Sequence, residues 1–103
     1  MVIKNFAYEG LMRFFEEISA IPRASYKEEK IADYLCDFAK QRGLEYYRDA
    51  NNNVLINAPA TVGMENTPAI LLQGHTDMVC EKNEGVEHDF DNDGLKLYEE
   101  DGW

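Results

Sequence analysis

The chain has 103 residues, 45% hydrophobic and 29% charged, with a formal net charge of -10 at pH 7. This is one small domain or part of a larger one, and its composition is that of a globular protein rather than a disordered one. The acidic balance argues against nucleic acid as a partner, which needs a basic surface, and disfavours anionic membranes.

The opening residues, Met1 to Phe6, lack the apolar core and cleavage site of a signal peptide, and no apolar run approaches membrane-spanning length. Cys36 and Cys80 are far apart and form no Cys-x-x-Cys pair. Free thiols in a reducing cytosol are the expectation, and the localisation read from the sequence is cytoplasmic.

Leu11, Phe14, Phe15 and Ile18 fall at helical spacing and predict a first helix with one apolar face, ended by Pro22. Ser25 and Glu28 have the spacing of a capping box, with each side chain reaching the other's backbone N–H. The second helix they would open carries Ile31, Tyr34, Leu35 and Phe38 on one face. Lys40 and Arg42 suit its negative end, and Gly43 suits the left-handed position beyond it.

Leu44–Arg48 and Val54–Asn57 read as strands joined at the turn Asp49–Asn53 into a hairpin. A polar loop from Pro59 to Pro68 leads to the apolar run Ala69–Leu72, too short for an ordinary helix and read as a buried strand through Gln73. Leu95-Lys96-Leu97-Tyr98 alternates like a half-buried strand. Asp101-Gly102 reads as a hairpin turn with Trp103 opening the return, so the chain reads as stopping inside an unfinished element. No internal repeat, low-complexity tract or interdomain linker is evident.

Two stretches have chemistry in them. The first is Gln73-Gly74-His75-Thr76-Asp77-Met78-Val79. It places His75 and Asp77 just past the carboxyl end of the Ala69–Gln73 strand, where ligands bind in open α/β sheets. Gly74 lets backbone and ligand approach. A neutral imidazole binds zinc well, and a neighbouring carboxylate can orient it or bind metal itself. His-x-Asp alone is a weak signal, and a surface loop after a strand is the plainer reading.

The second stretch is Asp89-x-Asp91-x-Asp93-Gly94 followed by Glu100, which fits the spacing of an EF-hand calcium loop. Its context does not fit, because an EF-hand needs a helix on each side and Asn83–Val86 has no apolar helical face. A solvated acidic loop is the preferred reading there, with His88 a loop histidine.

Gly74-His75-x-Asp77-Met78-Val79 after an apolar strand resembles the first metal-site motif of the zinc aminopeptidase/carboxypeptidase-like dipeptidases. Ile18–Ser25, Leu72–Asn83 and His88-Asp89-Phe90 together resemble the amino-terminal part of aminoacyl-histidine dipeptidases, and the resemblance covers essentially the whole chain. It implies that residues 1–103 are the amino-terminal segment of a metallopeptidase catalytic domain. It also implies an α/β fold with two helices packed on a partial mixed sheet.

By that resemblance the parent enzyme holds two divalent metal ions about 3.5–4 Å apart, zinc in the first instance and cobalt or manganese as substitutes. His75 would ligate one metal, Asp77 would hold the imidazole and serve catalysis, and a glutamate elsewhere would be the general base. Glu99-Glu100 is a Glu-Glu pair by letters only and is not assigned that role. The implied activity is hydrolysis of dipeptides, with a preference for Xaa-His, and the isolated segment should be inactive. A small dipeptide is then the partner, nucleic acid and membrane are not, and self-association through an unpaired strand edge is expected. Two alternatives stay open: a calcium-binding module built on the acidic loop, and a non-catalytic truncated relative that pairs with another subunit.

Overall fold

The computed structural model describes residues 2–4 and 6–103. The order of elements is α1 (Glu9–Ser19), α2 (Glu29–Gln41), β1 (Glu45–Arg48) and β2 (Val54–Asn57). This is an α/β chain, as the sequence implies. It divides into two compact units, one of residues 1–31 and 77–103, the other of residues 32–76.

The second unit contains most of α2 and the hairpin. Ala32 and Ala39, seven residues apart on α2, are buried, while Tyr34, Leu35 and Phe38 are half-buried. Ile31, the first residue of the expected stripe, is buried too, so close packing falls on one stripe residue and on the small residues flanking the stripe. The helix ends as its sequence dictates. Leu44 N–H donates to Ala39 O at 2.9 Å and Gly43 N–H to Lys40 O at 3.1 Å, with Gly43 at φ 65°. That pair of bonds is a Schellman motif, which needs a residue able to adopt the left-handed conformation.

β1 and β2 pair antiparallel, with Tyr46 opposite Ile56 and Arg48 opposite Val54. Asp49 closes the turn: its Oδ1 accepts from the N–H groups of Asn51 and Asn53, each at 2.9 Å. Arg48 Nη1 reaches Asp33 of α2 at 2.5 Å and so ties hairpin to helix.

The expected strand Ala69–Gln73 does not form. Ile70, Leu71 and Leu72 are 87, 76 and 89% exposed. A strand is defined by its hydrogen-bonded neighbour, and among the described residues this segment has no ladder partner. The apolar pattern signals a capacity for burial that these residues do not themselves satisfy.

In the first unit, α1 carries the expected apolar face, but Leu11 and Phe15 on it are exposed, and the deepest residue of the helix is Ser19. Glu16 turns inward: its Oε1 accepts from the backbone N–H groups of Val2 and Ile3, and Ile3 is buried. The helix stops where predicted, with the Ala20 N–H donating to Glu16 O at 3.0 Å.

The acidic loop returns to this helix end. Leu95 N–H donates to Ser19 O at 2.8 Å, and Gly94 lies so close to Ala20 that a β-carbon there would stand 2.6 Å from Ala20's Cα and carbonyl carbon. Leu95–Tyr98 forms no strand, again for want of a ladder partner among the described residues. The Asp101-Gly102 turn does form, with both residues at positive φ and Glu100 and Trp103 exchanging backbone hydrogen bonds at 3.0 and 2.9 Å. The mixed sheet of the sequence reading reduces to the antiparallel hairpin and one isolated parallel bridge, Ala24 to Met78.

Candidate functional site

His75 is exposed at the end of the second unit. A β-carbon at Gly74 beside it would meet nothing within 4 Å, and Gly74 is not among the glycines with positive φ. Neither packing nor backbone conformation within this chain demands that glycine.

Asp77 is half-buried in the first unit and firmly held. Its Oδ2 accepts a hydrogen bond from the Ser25 hydroxyl at 2.5 Å. The next residue, Met78, donates its N–H to Arg23 O at 2.9 Å and forms the parallel bridge with Ala24. The segment after Asp77 is thus fastened by its backbone to the Pro22–Ser25 segment, and Asp77 by its side chain.

The capping box predicted for Ser25 and Glu28 is therefore not what the structure contains. α2 begins only at Glu29. Ser25 spends its proton on Asp77, and Glu28 Oε1 accepts from the N–H of Tyr26 at 2.9 Å. Ala24 to Lys27 form a tight turn, with Lys27 N–H donating to Ala24 O at 2.9 Å and Tyr26 at φ 67°. Local spacing favours a cap, but Tyr26, which would be the first helical residue, sits at φ 67°, so the helix starts only at Glu29, and the Ser25 hydroxyl donates to a carboxylate fifty-two residues away. Ser25 is the residue that sequence reasoning misplaced. The family resemblance assigns Ser25 no role, and no local spacing reports its contact with Asp77.

The acidic loop is occupied by its own chain. Asp89 Oδ1 accepts from Asp91 N–H at 3.0 Å and Asp89 Oδ2 from Asn92 Nδ2 at 2.7 Å. Asp93 Oδ2 accepts from Asp89 N–H at 2.9 Å. Asp91 pairs with Lys27 at 2.6 Å, and Lys30 Nζ donates to the Asp91 carbonyl at 3.1 Å. Hydrogen bonds from Asn92 and from the Asp91 backbone hold the Asp89 carboxyl below its ordinary pKa, and the Asp91 carboxylate raises that of Lys27. Among the described residues no three of these carboxylates come together as a metal site; they face backbone donors, the Asn92 side chain and a lysine. His88 stacks edge-on against Phe90, ring centroids 4.7 Å apart, as a loop histidine would.

Glu99 Oε2 accepts from the backbone N–H of Lys4 at 3.2 Å, which gives it a structural occupation. Cys36 and Cys80 are both free thiols. Among the described residues no three of His, Cys, Asp and Glu come together as a metal site. The donor set among the described residues therefore does not fit a closed zinc site. It offers one exposed imidazole and one anchored carboxylate.

No protein-family model matches the chain. It is 43% identical over 95 residues to a cytosol non-specific dipeptidase of Escherichia coli (strain K12), covering 92% of this chain and 20% of that protein. Its backbone superposes on the crystal structure of an aminoacylhistidine dipeptidase from Vibrio alginolyticus with a TM-score of 0.88 and 40% identity, over 94% of this chain and 20% of that one. This chain resembles a segment of a dipeptidase. The dipeptidase-like segment spans about a fifth of the length of either relative. The family resemblance read from residues 18–25, 72–83 and 88–90 thus agrees with both comparisons, and the α/β architecture with the second. Among the described residues no helix is long and apolar enough to cross a membrane.

Proposed function

We propose that the protein containing this segment is a cytoplasmic, metal-dependent dipeptidase that hydrolyses small dipeptides, Xaa-His among them. What supports the reading is the match over nearly the whole segment to two dipeptidases, one with a TM-score of 0.88. His75 and Asp77 lie within it, after an apolar run that the segment leaves uncovered.

In this reading His75 would supply one imidazole to a zinc centre, with cobalt or manganese able to substitute. Asp77 would hold the geometry around it. In this reading the further donors and the general base would come from other parts of the full-length protein or from a second copy. A bound divalent metal supplies an acidified water and a polarised scissile carbonyl. The segment's own residues position, and do not complete, that chemistry.

The deciding experiment uses the full-length protein and a panel of dipeptides, with and without a chelator. Hydrolysis should depend on metal, and His75→Ala should lower it by more than about 100-fold, beyond the usual effect of losing an outer-shell partner. Full activity of His75→Ala would exclude this assignment, and a wild-type protein inert towards every dipeptide would exclude the reading itself.

A further inference from the structure

We infer that Ser25 is a positioning residue for Asp77, and that the strained turn holding it belongs to the catalytic apparatus; the inference rests on the dipeptidase reading above. The Ser25 hydroxyl donates to Asp77 Oδ2 at 2.5 Å across fifty-two residues of sequence. An aspartate carboxylate turns about its last torsion with only a broad preference. Fixing Oδ2 fixes the plane of the group and therefore the direction of Oδ1. A carboxylate that must orient an imidazole or face a reacting centre needs that direction set before substrate arrives.

Both ends of the bond are themselves held. At the Asp77 end, Met78 is paired to Arg23 and Ala24 through the backbone. At the Ser25 end, the Ala24–Lys27 turn places Tyr26 at φ 67°, where a turn of this kind favours glycine. Tyr26 is 94% exposed, so packing does little to offset that conformation. Its N–H is instead secured by Glu28 at 2.9 Å. Non-glycine residues in the left-handed region persist where the surroundings over-determine them, and such strain gathers at working sites.

The test is a double-mutant cycle in the full-length protein. Ser25→Ala should lower kcat by about 10–100-fold, the range for losing a partner of a metal-site residue, while KM stays close to wild type. Ser25→Thr, which keeps the hydroxyl, should recover most of the loss. In an Asp77→Asn background, Ser25→Ala should cost little more, because the group it positions is already compromised. Ser25→Cys, nearly the same size with a weak donor, keeps the test open if the alanine variant does not fold, and should behave like alanine. Unchanged kcat in Ser25→Ala or Ser25→Cys, no recovery by threonine, or losses that simply multiply with Asp77→Asn would overturn the inference while leaving dipeptide hydrolysis by the wild type intact. A wild type without dipeptide hydrolysis would overturn the underlying reading, and this inference with it.

Discussion

The segments 74–79 and 89–94 make opposite use of similar residues. Both match a metal-binding pattern by letters, and the second matches more of its pattern than the first. In the acidic loop, Asp89, Asp91 and Asp93 bond to backbone N–H groups, Asn92 and Lys27, and Gly94 is used up in a close approach to Ala20. In the first segment Gly74 has open space around it, His75 is exposed and Asp77 is gripped from one side by a serine. A motif whose oxygens serve its own loop is architecture. In the proposed reading, the exposed imidazole and the anchored carboxylate are the motif left to serve a site.

Three measurements on the full-length protein bear on that contrast, beginning with the largest effect. Gly94→Ala should destabilise the protein by about 1–3 kcal/mol, because the new methyl collides with main-chain atoms of Ala20 that cannot swing aside. Gly74→Ala should leave the melting temperature near wild type while impairing hydrolysis. Equal melting temperatures for Gly94→Ala and wild type would mean that the acidic loop is not seated as described.

The second measurement is an acid titration of the loop. The Asp89 carboxyl lies below its ordinary value when folded, chiefly through Asn92 and the Asp91 backbone. Its contribution to loop order is therefore complete above the unfolded value of about 3.9 and is lost as pH falls through the lower folded value. Amide signals of Asp91 and Asn92 followed by NMR should hold steady from neutrality down to about pH 4 and shift only below it. A transition well above pH 4 would contradict the hydrogen bonds assigned to Asp89.

The smallest expected effect is none. Millimolar calcium should leave the melting temperature unchanged, since ligand binding to the folded state alone would raise it. A rise abolished by Asp89→Ala would move the acidic loop from architecture to ion binding and erase the contrast.

Much of this was legible in the sequence. The two helices, the Gly43 stop, the Asp49–Asn53 turn and the hairpin follow from local chemistry, and local chemistry is what periodicity and turn residues report. The Ala69–Leu72 and Leu95–Tyr98 runs were legible only as capacity: alternation or apolar content says that a strand could form, not which edge would receive it. Ser25 shows the converse limit. Its spacing to Glu28 is a sound local signal, but Tyr26 leaves the helical region, and the Ser25 hydroxyl finds a partner that no window along the chain contains. His75 and Asp77 were singled out by resemblance, and Ser25, which donates to Asp77, was not.

Ile70, Leu71 and Leu72 have one more consequence, and it concerns time. Three consecutive branched apolar residues, each more than three-quarters exposed, form an adhesive tape for as long as nothing covers them. Chain growth proceeds at about 5–20 residues per second, so such a tape emerging from a ribosome stays uncovered for seconds if its cover is synthesised later. Pro68 on one side and Gly74 on the other are poor members of any ordered aggregate and keep the tape short. The stretch that leads into His75 is thus also the one most in need of prompt concealment by folding or a chaperone.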